Sequence, residues 1–305
     1  MTTSVENGRL WRQLRSRTEA AIASGALHSI ATNHHTLEQD GVEFVVRVAL
    51  NLKRKAEQKQ RQTTNSASAP FNPFLPPDPD LAVAAISTTH LSVLNKYNVV
   101  ENHLLIVTRE FQHQERLLTL EDFEALWFCM ADYPSLGFYN GGEAAGASQS
   151  HKHLQLVPLP LYQGQSRFPF ETLFATAPRG DGMKSLKQLP FLHCWVSLPH
   201  GLANHPSAAA ERTLSLYLQM LALVGIRRVK GADGDYQGAP YNLLLTKEWM
   251  LLVPRSQEFC ESISVNALGY VGSLFVKEQS EFEMLIDIGP MTLLQAVSMP
   301  LVNPE

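Results

Sequence analysis

Residues 151–157 read HKHLQLV, an alternation of polar-ring or amide side chains with lysine and leucine. Only an extended backbone, whose side chains change face at every residue, sorts such a run into two surfaces. As a strand, it turns His151, His153, Gln155 and Val157 one way and Lys152, Leu154 and Leu156 the other. A strand must pair, so the chain is committed to a sheet around this segment. Candidate partners are plentiful. GVEFVVRVAL (41–50) is rich in β-branched and aromatic residues, and HLSVLNKYNVVENHLLIVTRE (90–110) reads as two strands joined by a turn near Asn98–Asn102. LGFYNGG is a short strand entering a glycine-rich loop, and YNLLLTKEWMLLVPRSQEF (241–259) predicts a hairpin around Lys247–Glu248.

Helical periodicity is confined to other segments. Residues 6–23 predict a helix with Leu10, Trp11, Leu14, Ala21 and Ile22 on one face. TLEDFEALWFCMADY (119–133) predicts another, capped by Thr119, with Asp122 as a short capping-box acid and Phe123, Leu126, Trp127 and Met130 on its apolar face. Residues 207–226 predict a long helix, and 266–285 begin as a glycine-containing loop and end helical. The polar, low-complexity run 53–70 reads as a loop, and the proline-dense FNPFLPPDPDL (71–81) as an extended, ordered connection. Hairpins beside separate helices predict an α+β fold with a mixed, largely antiparallel sheet and flanking helices. The Gly/Pro-punctuated stretch near 163–189 divides the chain into halves, 1–162 and 190–305. NHLLIVTREF (102–111) and EWMLLVPRSQEF (248–259) share a pattern that suits two related halves.

Composition narrows the function classes. The 305 residues are 45% hydrophobic and 18% charged with net charge −4, which argues against a broad basic face for nucleic acid. Three widely spaced cysteines, without a CxxC pair, argue against a disulfide framework or a cysteine-rich zinc site and for a reducing, cytoplasmic setting. No secretory h-region opens the sequence, and no apolar run is long enough to span a membrane.

The histidines admit three readings: metal ligands, structural polar residues, or catalytic groups. A metal site needs further ligands, and His193, Cys194, His200 and His205 match no strong spacing. The preceding loop, NGGEAAGASQS, holds three glycines, three alanines and two serines in eleven residues. Such small residues let backbone N–H groups approach an anion, with Ser148, Gln149 and Ser150 adding donors. A phosphate cradle beside an imidazole points to nucleophilic attack on phosphorus. Neutral imidazole is available near pH 7, and a backbone carbonyl can hold its other nitrogen as N–H. Gln155 donates to a phosphoryl oxygen but is a poor acid or base, which favours transfer to an anionic acceptor over hydrolysis.

SQSHKHLQLVPLP, with FNPFLPPDPDL and LNKYNVVENHLLIVTRE upstream, resembles the ATP adenylyltransferase family, the diadenosine tetraphosphate phosphorylases. These form a transferase branch of the histidine-triad superfamily in which the motif ends H-x-H-x-Q. The similarity runs from about residue 40 to 290. It implies a histidine-triad-like fold and phosphorolysis of diadenosine tetraphosphate to ATP and ADP through an AMP–enzyme intermediate. His153 would be the nucleophile, His151 its orienting neighbour, and Gln155 the donor to the transferred phosphoryl group. The resemblance places nucleotide contacts at Asn95 and Lys96, Asn140, Gly146, Ala147, Ser148 and Gln149, and a polyphosphate lysine at Lys55 or Lys53. It places a second set at Asn266, Ala267, Leu268, Ser273 and Lys277, and leaves His193 structural. The implied partners are small nucleotides (diadenosine tetraphosphate, ATP, ADP, AMP) and phosphate, with neither nucleic acid nor membrane. No tightly bound cofactor is implied, only a divalent cation such as Mg travelling with the polyphosphate. The competing readings are a sugar-1-phosphate uridylyltransferase with the same short motif, a nucleotide-sensing binding protein without turnover, and a metal-dependent hydrolase.

Overall fold

A computed structural model describes residues 8–50, 72–164, 166–177 and 182–301. The polar run 53–70, with Lys53 and Lys55, lies outside the described residues. The strands of the first half are β1 (Thr32–Gln39), β2 (Val42–Ala49), β3 (Ala82–Ala85), β4 (His90–Leu94), β5 (Leu104–Thr108), β6 (Ser135–Gly141) and β7 (His153–Pro158). Those of the second are β8 (Cys194–Ser197), β9 (Arg228–Gly231), β10 (Gly234–Gln237), β11 (Tyr241–Leu245), β12 (Trp249–Pro254), β13 (Phe259–Cys260), β14 (Ile263–Ser264) and β15 (Ser273–Val276). Six α-helices occur among the described residues: α1 (Arg9–Ser24), α2 (Leu120–Asp132), α3 (Glu171–Ala175), α4 (Pro206–Leu223), α5 (Gln279–Ile288) and α6 (Pro290–Val297).

One eight-stranded sheet, in the order β3-β4-β5-β7-β6-β11-β12-β8 and antiparallel throughout, is the middle layer. The two segments that echo each other become β5 and β12, with three strands between them. The halves meet where β6 pairs with β11, Asn140 opposite Asn242. Helices α1, α2 and α4 cover one face through Leu14, Phe123, Trp127, Leu216, Tyr217 and Met220, packed on Leu104, Ile106, Leu154 and Leu156. The other face carries Phe138, Val157, Leu244 and Leu251 against β2, α3, α5 and α6. Isolated helices of such length are marginal in water, so this burial is what holds them. Each fully buried Leu or Phe contributes roughly 1.5–3 kcal/mol.

The expected α+β architecture is present, and the details that differ have local causes. Helix α1 starts later than predicted, and Ile22 is 51% exposed while Thr18 takes the buried position. Strand β1 is polar and shows no hydrophobic alternation, yet it pairs with β2 across a two-residue turn. Asp40 and Gly41 both sit at positive φ in that turn, the requirement of a type I′ hairpin, and the Asp-Gly pair is its sequence signal. The segment predicted as extended, 71–81, instead folds from residue 72 onward as consecutive turns, with Phe74 bridged to Pro77. Prolines set φ near −65°, which serves a turn as well as an extended chain. Within 266–285, β15 intervenes between loop and helix and pairs parallel with β2. The capping box is real: the Thr119 N–H donates to Asp122 Oδ2 at 2.7 Å.

Candidate active site

Strand β7 begins at His153, and His151 precedes it in an isolated bridge to His113. The two faces are sorted as the alternation predicts. Leu154 and Leu156 enter the helix-covered core, and Val157 enters the other. His153 and Gln155 lie on the Val157 side, opposite Val107 and Leu105 of β5. Phe74 wedges in from its turn, its ring 5.6 Å from that of His151 and 5.5 Å from that of His153. The exposed Phe111 adds a third ring 5.5 Å from His151.

The tautomers follow from the hydrogen bonds. His153 Nδ1 lies 2.8 Å from the carbonyl oxygen of His151, so it carries the proton and donates it. Its Nε2 then holds the lone pair, and no hydrogen bond to Nε2 forms among the described residues. Burial pushes the His153 imidazole down to about 4, although the bond to the His151 carbonyl works the other way. The ring is therefore neutral at physiological pH. His151 Nε2 donates to the Thr108 carbonyl at 2.9 Å, and its Nδ1 accepts from Asn72 Nδ2 at 3.0 Å. Burial lowers its pKa too.

Gln114 is one of the residues that sequence reasoning missed. Its Oε1 accepts from the His153 N–H at 2.9 Å, and its Nε2 donates to the carbonyls of Asn140 and His153 at 2.9 and 3.2 Å. It thereby staples the start of β7 to the end of β6, from a position in no motif, 39 residues from His153 and 26 from Asn140. Its peptide carbonyl accepts the Tyr139 hydroxyl.

The glycine-rich loop is a turn of 3₁₀ helix, Glu143–Ala145, with Gly142 and Gly146 at φ +94° and +88°. The N–H groups of Gly146 and Ala147 close onto the carbonyls of Glu143 and Gly142 at 2.8 and 3.2 Å. The N–H groups of Ser148 and Gln149, which follow, make no such closing bond within the loop, and Ser148 is exposed. Asn140 braces this loop from below. Its Oδ1 accepts from Asn242 Nδ2 and from the Ala267 N–H at 2.9 and 3.1 Å, and its Nδ2 donates to the Gly146 carbonyl at 3.3 Å. Buried Arg255 anchors the brace, donating to Asn242 Oδ1 at 2.6 Å and to the Val265 carbonyl at 2.9 Å. A Cβ on Gly146 would stand 3.0 Å from Asn266 Cβ, so loop and second half are in close contact.

The predicted residues therefore fall into two joined groups. His151, His153 and Gln155 lie along β7 and its approach, with Asn95 at the end of β4 on the far side of β5, and Asn140, Gly146, Asn266 and Ala267 join the halves. The Leu268 N–H is taken by Asn266 Oδ1 at 3.0 Å. Ser273 Oγ accepts from Arg47 Nη1 at 2.5 Å, a buried arginine outside any motif. Lys96 and Lys277 are exposed, the Lys277 ammonium lying 5.8 Å from the centre of the Phe259 ring. His193 is structural: Nδ1 donates to the Phe191 carbonyl at 2.7 Å, and Nε2 accepts the Leu186 N–H at 2.7 Å.

Beneath the site, on the opposite face of the same strand, Lys152 donates to Asp122 Oδ2 at 2.5 Å and to the Leu117 carbonyl at 2.9 Å. His90 Nε2 meets Asp122 Oδ1 at 3.0 Å. Burial opposes ionisation of Asp122, but Lys152 and His90 outweigh it and hold the carboxyl well below its ordinary range.

Comparison with known proteins adds the following. The Ap4A phosphorylase N-terminal domain model matches residues 1–176, and the ATP adenylyltransferase C-terminal domain model matches residues 187–300. The Saccharomyces cerevisiae Protein APA1 is 28% identical over 241 residues, covering 71% of this chain and 72% of the relative. Diadenosine 5',5'''-P1,P4-tetraphosphate phosphorylase 2 of the same yeast is 28% identical over 246 residues, covering 73% and 74%. The crystal structure of yeast Ap4A phosphorylase Apa2 in complex with Ap4A superposes with a TM-score of 0.77 at 23% identity, over 98% of this chain and 100% of that one. At that identity the likeness establishes a shared fold.

Proposed function

The chain belongs to the Ap4A phosphorylase family, also called ATP adenylyltransferases, and on that premise we propose that it converts diadenosine tetraphosphate and phosphate to ATP and ADP. The observation that carries this reading is the state of His153. It is neutral, with Nδ1–H bound to the His151 carbonyl and the Nε2 lone pair open. That is the state an imidazole needs to attack phosphorus.

In the first step, Nε2 forms a bond to the α-phosphorus of one adenosine while the bridging oxygen leaves with ATP. The ring becomes cationic as it bonds, and the His151 carbonyl stabilises the Nδ1–H that shares this charge. An oxygen of inorganic phosphate then attacks the same phosphorus. The P–N bond breaks, ADP departs, and His153 is restored. The Gln155 amide and the Ser148 and Gln149 N–H groups are suited to donate to the phosphoryl oxygens, where charge builds up. His151 orients His153 through its carbonyl, Asn95 holds a ribose, Lys53 or Lys55 meets the polyphosphate, and Lys277 belongs to the nucleotide contacts of the second half. Any divalent cation arrives with the polyphosphate as part of the substrate. The first half, 1–162, carries the reacting groups, and 190–305 completes the nucleotide site across the 163–189 connection. A reducing cytoplasm fits the free thiols, of which Cys129 and Cys194 are buried. Among the described residues no helix is long and apolar enough to cross a membrane.

The test is direct. Incubation with diadenosine tetraphosphate and phosphate should release ATP and ADP. With phosphate omitted, mass spectrometry should find AMP on His153. In His153→Ala the adduct should vanish and the rate should fall about 10⁴-fold or more. Absence of both products, or full activity in that variant, overturns the assignment; exchange on a nucleotide-sugar instead would redirect it to uridylyl transfer.

A further inference from the structure

Gln155 can serve the reaction only if its amide presents NH₂, not oxygen, to the phosphoryl group. The two ends of an amide are nearly identical in shape, so packing alone does not choose between them. One group beside it is positioned to decide: His103, whose ring is close enough to Gln155 for the amide to raise its pKa against the effect of burial.

His103 stands one residue before β5, and its carbonyl accepts the Asn95 N–H at 3.0 Å, extending the β4–β5 ladder. In the β5–β7 register Leu105 faces Gln155 and Leu104 faces Leu156. His103 therefore shares the face of Leu105 and sits diagonally across from Gln155, within reach of a long side chain. Its ring lies 5.7 Å from that of Phe138, whose strand pairs with β7 on the other side at Gln155. The two rings thus come together on the face of β7 that carries Gln155.

The tautomer of His103 is set by a neighbour. Asn95 Oδ1 accepts the Tyr97 N–H at 3.3 Å, which turns its Nδ2 toward His103 Nδ1 at 3.2 Å. Nδ1 accepts, so the proton resides on Nε2. That Nε2 is buried and without a hydrogen-bond partner, in a residue only 8% exposed. An orphaned buried donor costs about 1–3 kcal/mol, so it calls for a partner when the site is filled. Burial pushes His103 down to about 4, with Gln155 acting on it as an acceptor and His153 as a nearby like charge.

We propose that His103 is the positioning residue for Gln155: its Nε2–H takes the amide oxygen, which leaves the NH₂ facing the phosphorus above His153. The same ring, through Nδ1, holds Asn95, so one imidazole aligns the ribose contact and the phosphoryl donor. This rests on the adenylyl-transfer reading of the site.

The experiment is a double-mutant cycle read by the single-turnover rate of AMP adduct formation, with AMP affinity measured alongside and thermal melting as a check on folding. His103→Asn keeps a group at the Nδ1 position but cannot reach Gln155. It should form the adduct about 10–100-fold more slowly, the usual range for a supporting residue, with AMP affinity little changed. His103→Gln places its amide nitrogen where Nε2 was, and should retain most of the rate. In a Gln155→Ala background His103→Asn should add no further loss. Equal slowing with and without Gln155, equal loss in the Asn and Gln variants, or no slowing at all would overturn the proposal. A wild-type protein that forms no adduct would instead sink the reaction assignment, and the positioning role with it.

Discussion

The two faces of β7 bury comparable amounts of polar chemistry and dispose of it in opposite ways. On the helix-covered face, Lys152, Asp122 and His90 form a closed chain: the ammonium has a carboxylate and a carbonyl, and the carboxylate also caps α2. On the other face, His153 and Gln155 keep unused atoms, and His103 next to them keeps an orphaned donor. Burial alone does not separate the faces, since Lys152 is 0% exposed and His153 only 4%. What separates them is satisfaction. A buried polar network whose members are all paired is scaffold, and one that leaves donors and lone pairs pointing inward is waiting for a ligand.

The contrast can be broken most forcefully at Lys152. Lys152→Met removes one partner of a buried ion pair and strands Asp122, which should cost about 3–5 kcal/mol in chemical denaturation. His153→Ala removes no such partner and should leave the unfolding midpoint close to the wild type. Similar losses in the two variants would erase the distinction between the faces.

Acid should sharpen it next. His153 and His103 are each held at about 4, against 6.5 for a free imidazole. At pH 5 roughly nine-tenths of His153 stays unprotonated, against about 3% of an ordinary histidine. The acid limb of kcat/KM should therefore fall near pH 4 rather than 6.5. Stability carries the same signature: between 6.5 and 4 the unfolded chain binds protons that the folded chain refuses. Stability should thus decline as pH drops below 6.5 and level off below about 4. An activity limb near 6.5 would mean that the His153 ring is hydrated rather than buried.

The smallest expected effect is at the cradle. Gly146 has φ +88°, and a Cβ there would stand 3.0 Å from Asn266 Cβ and 3.1 Å from the Val265 carbonyl. Gly146→Ala should cost about 1–2 kcal/mol in stability from the left-handed backbone. It should also weaken AMP binding, because the loop and the second half touch at this position. Unchanged nucleotide affinity would show that the cradle tolerates a shift there.

Much of the fold was legible wherever hydrophobic periodicity was strong. Strands β2, β4, β5, β7, β11 and β12 and helices α2 and α4 could be read from their apolar spacing. Strand β1 could not, because TNHHTLEQ has a single apolar residue, Leu37; the Asp-Gly pair after it was the one local signal for its hairpin, and it went unread. The turns at 72–81 were misread because proline restricts φ without choosing between extended chain and turn. Of the site, the histidine pair and the glycine loop stood out by composition. Gln114, Asn242, Arg255 and His103 did not, since each is a single polar residue whose role comes from a partner far along the chain.

The sequence by itself determined that His151, His153 and Gln155 share a face, because strand alternation is a property of the local backbone. Tertiary structure alone decided how those side chains are held. Gln114 reaches His153 across 39 positions, Asn242 reaches Asn140 across 102, and His103 meets the face of Gln155 only through the β5–β7 register. Periodicity is written in neighbouring residues, whereas hydrogen-bond partners are chosen by which strands pair and in what register. That choice also buries the imidazoles, and burial is what keeps His153 neutral.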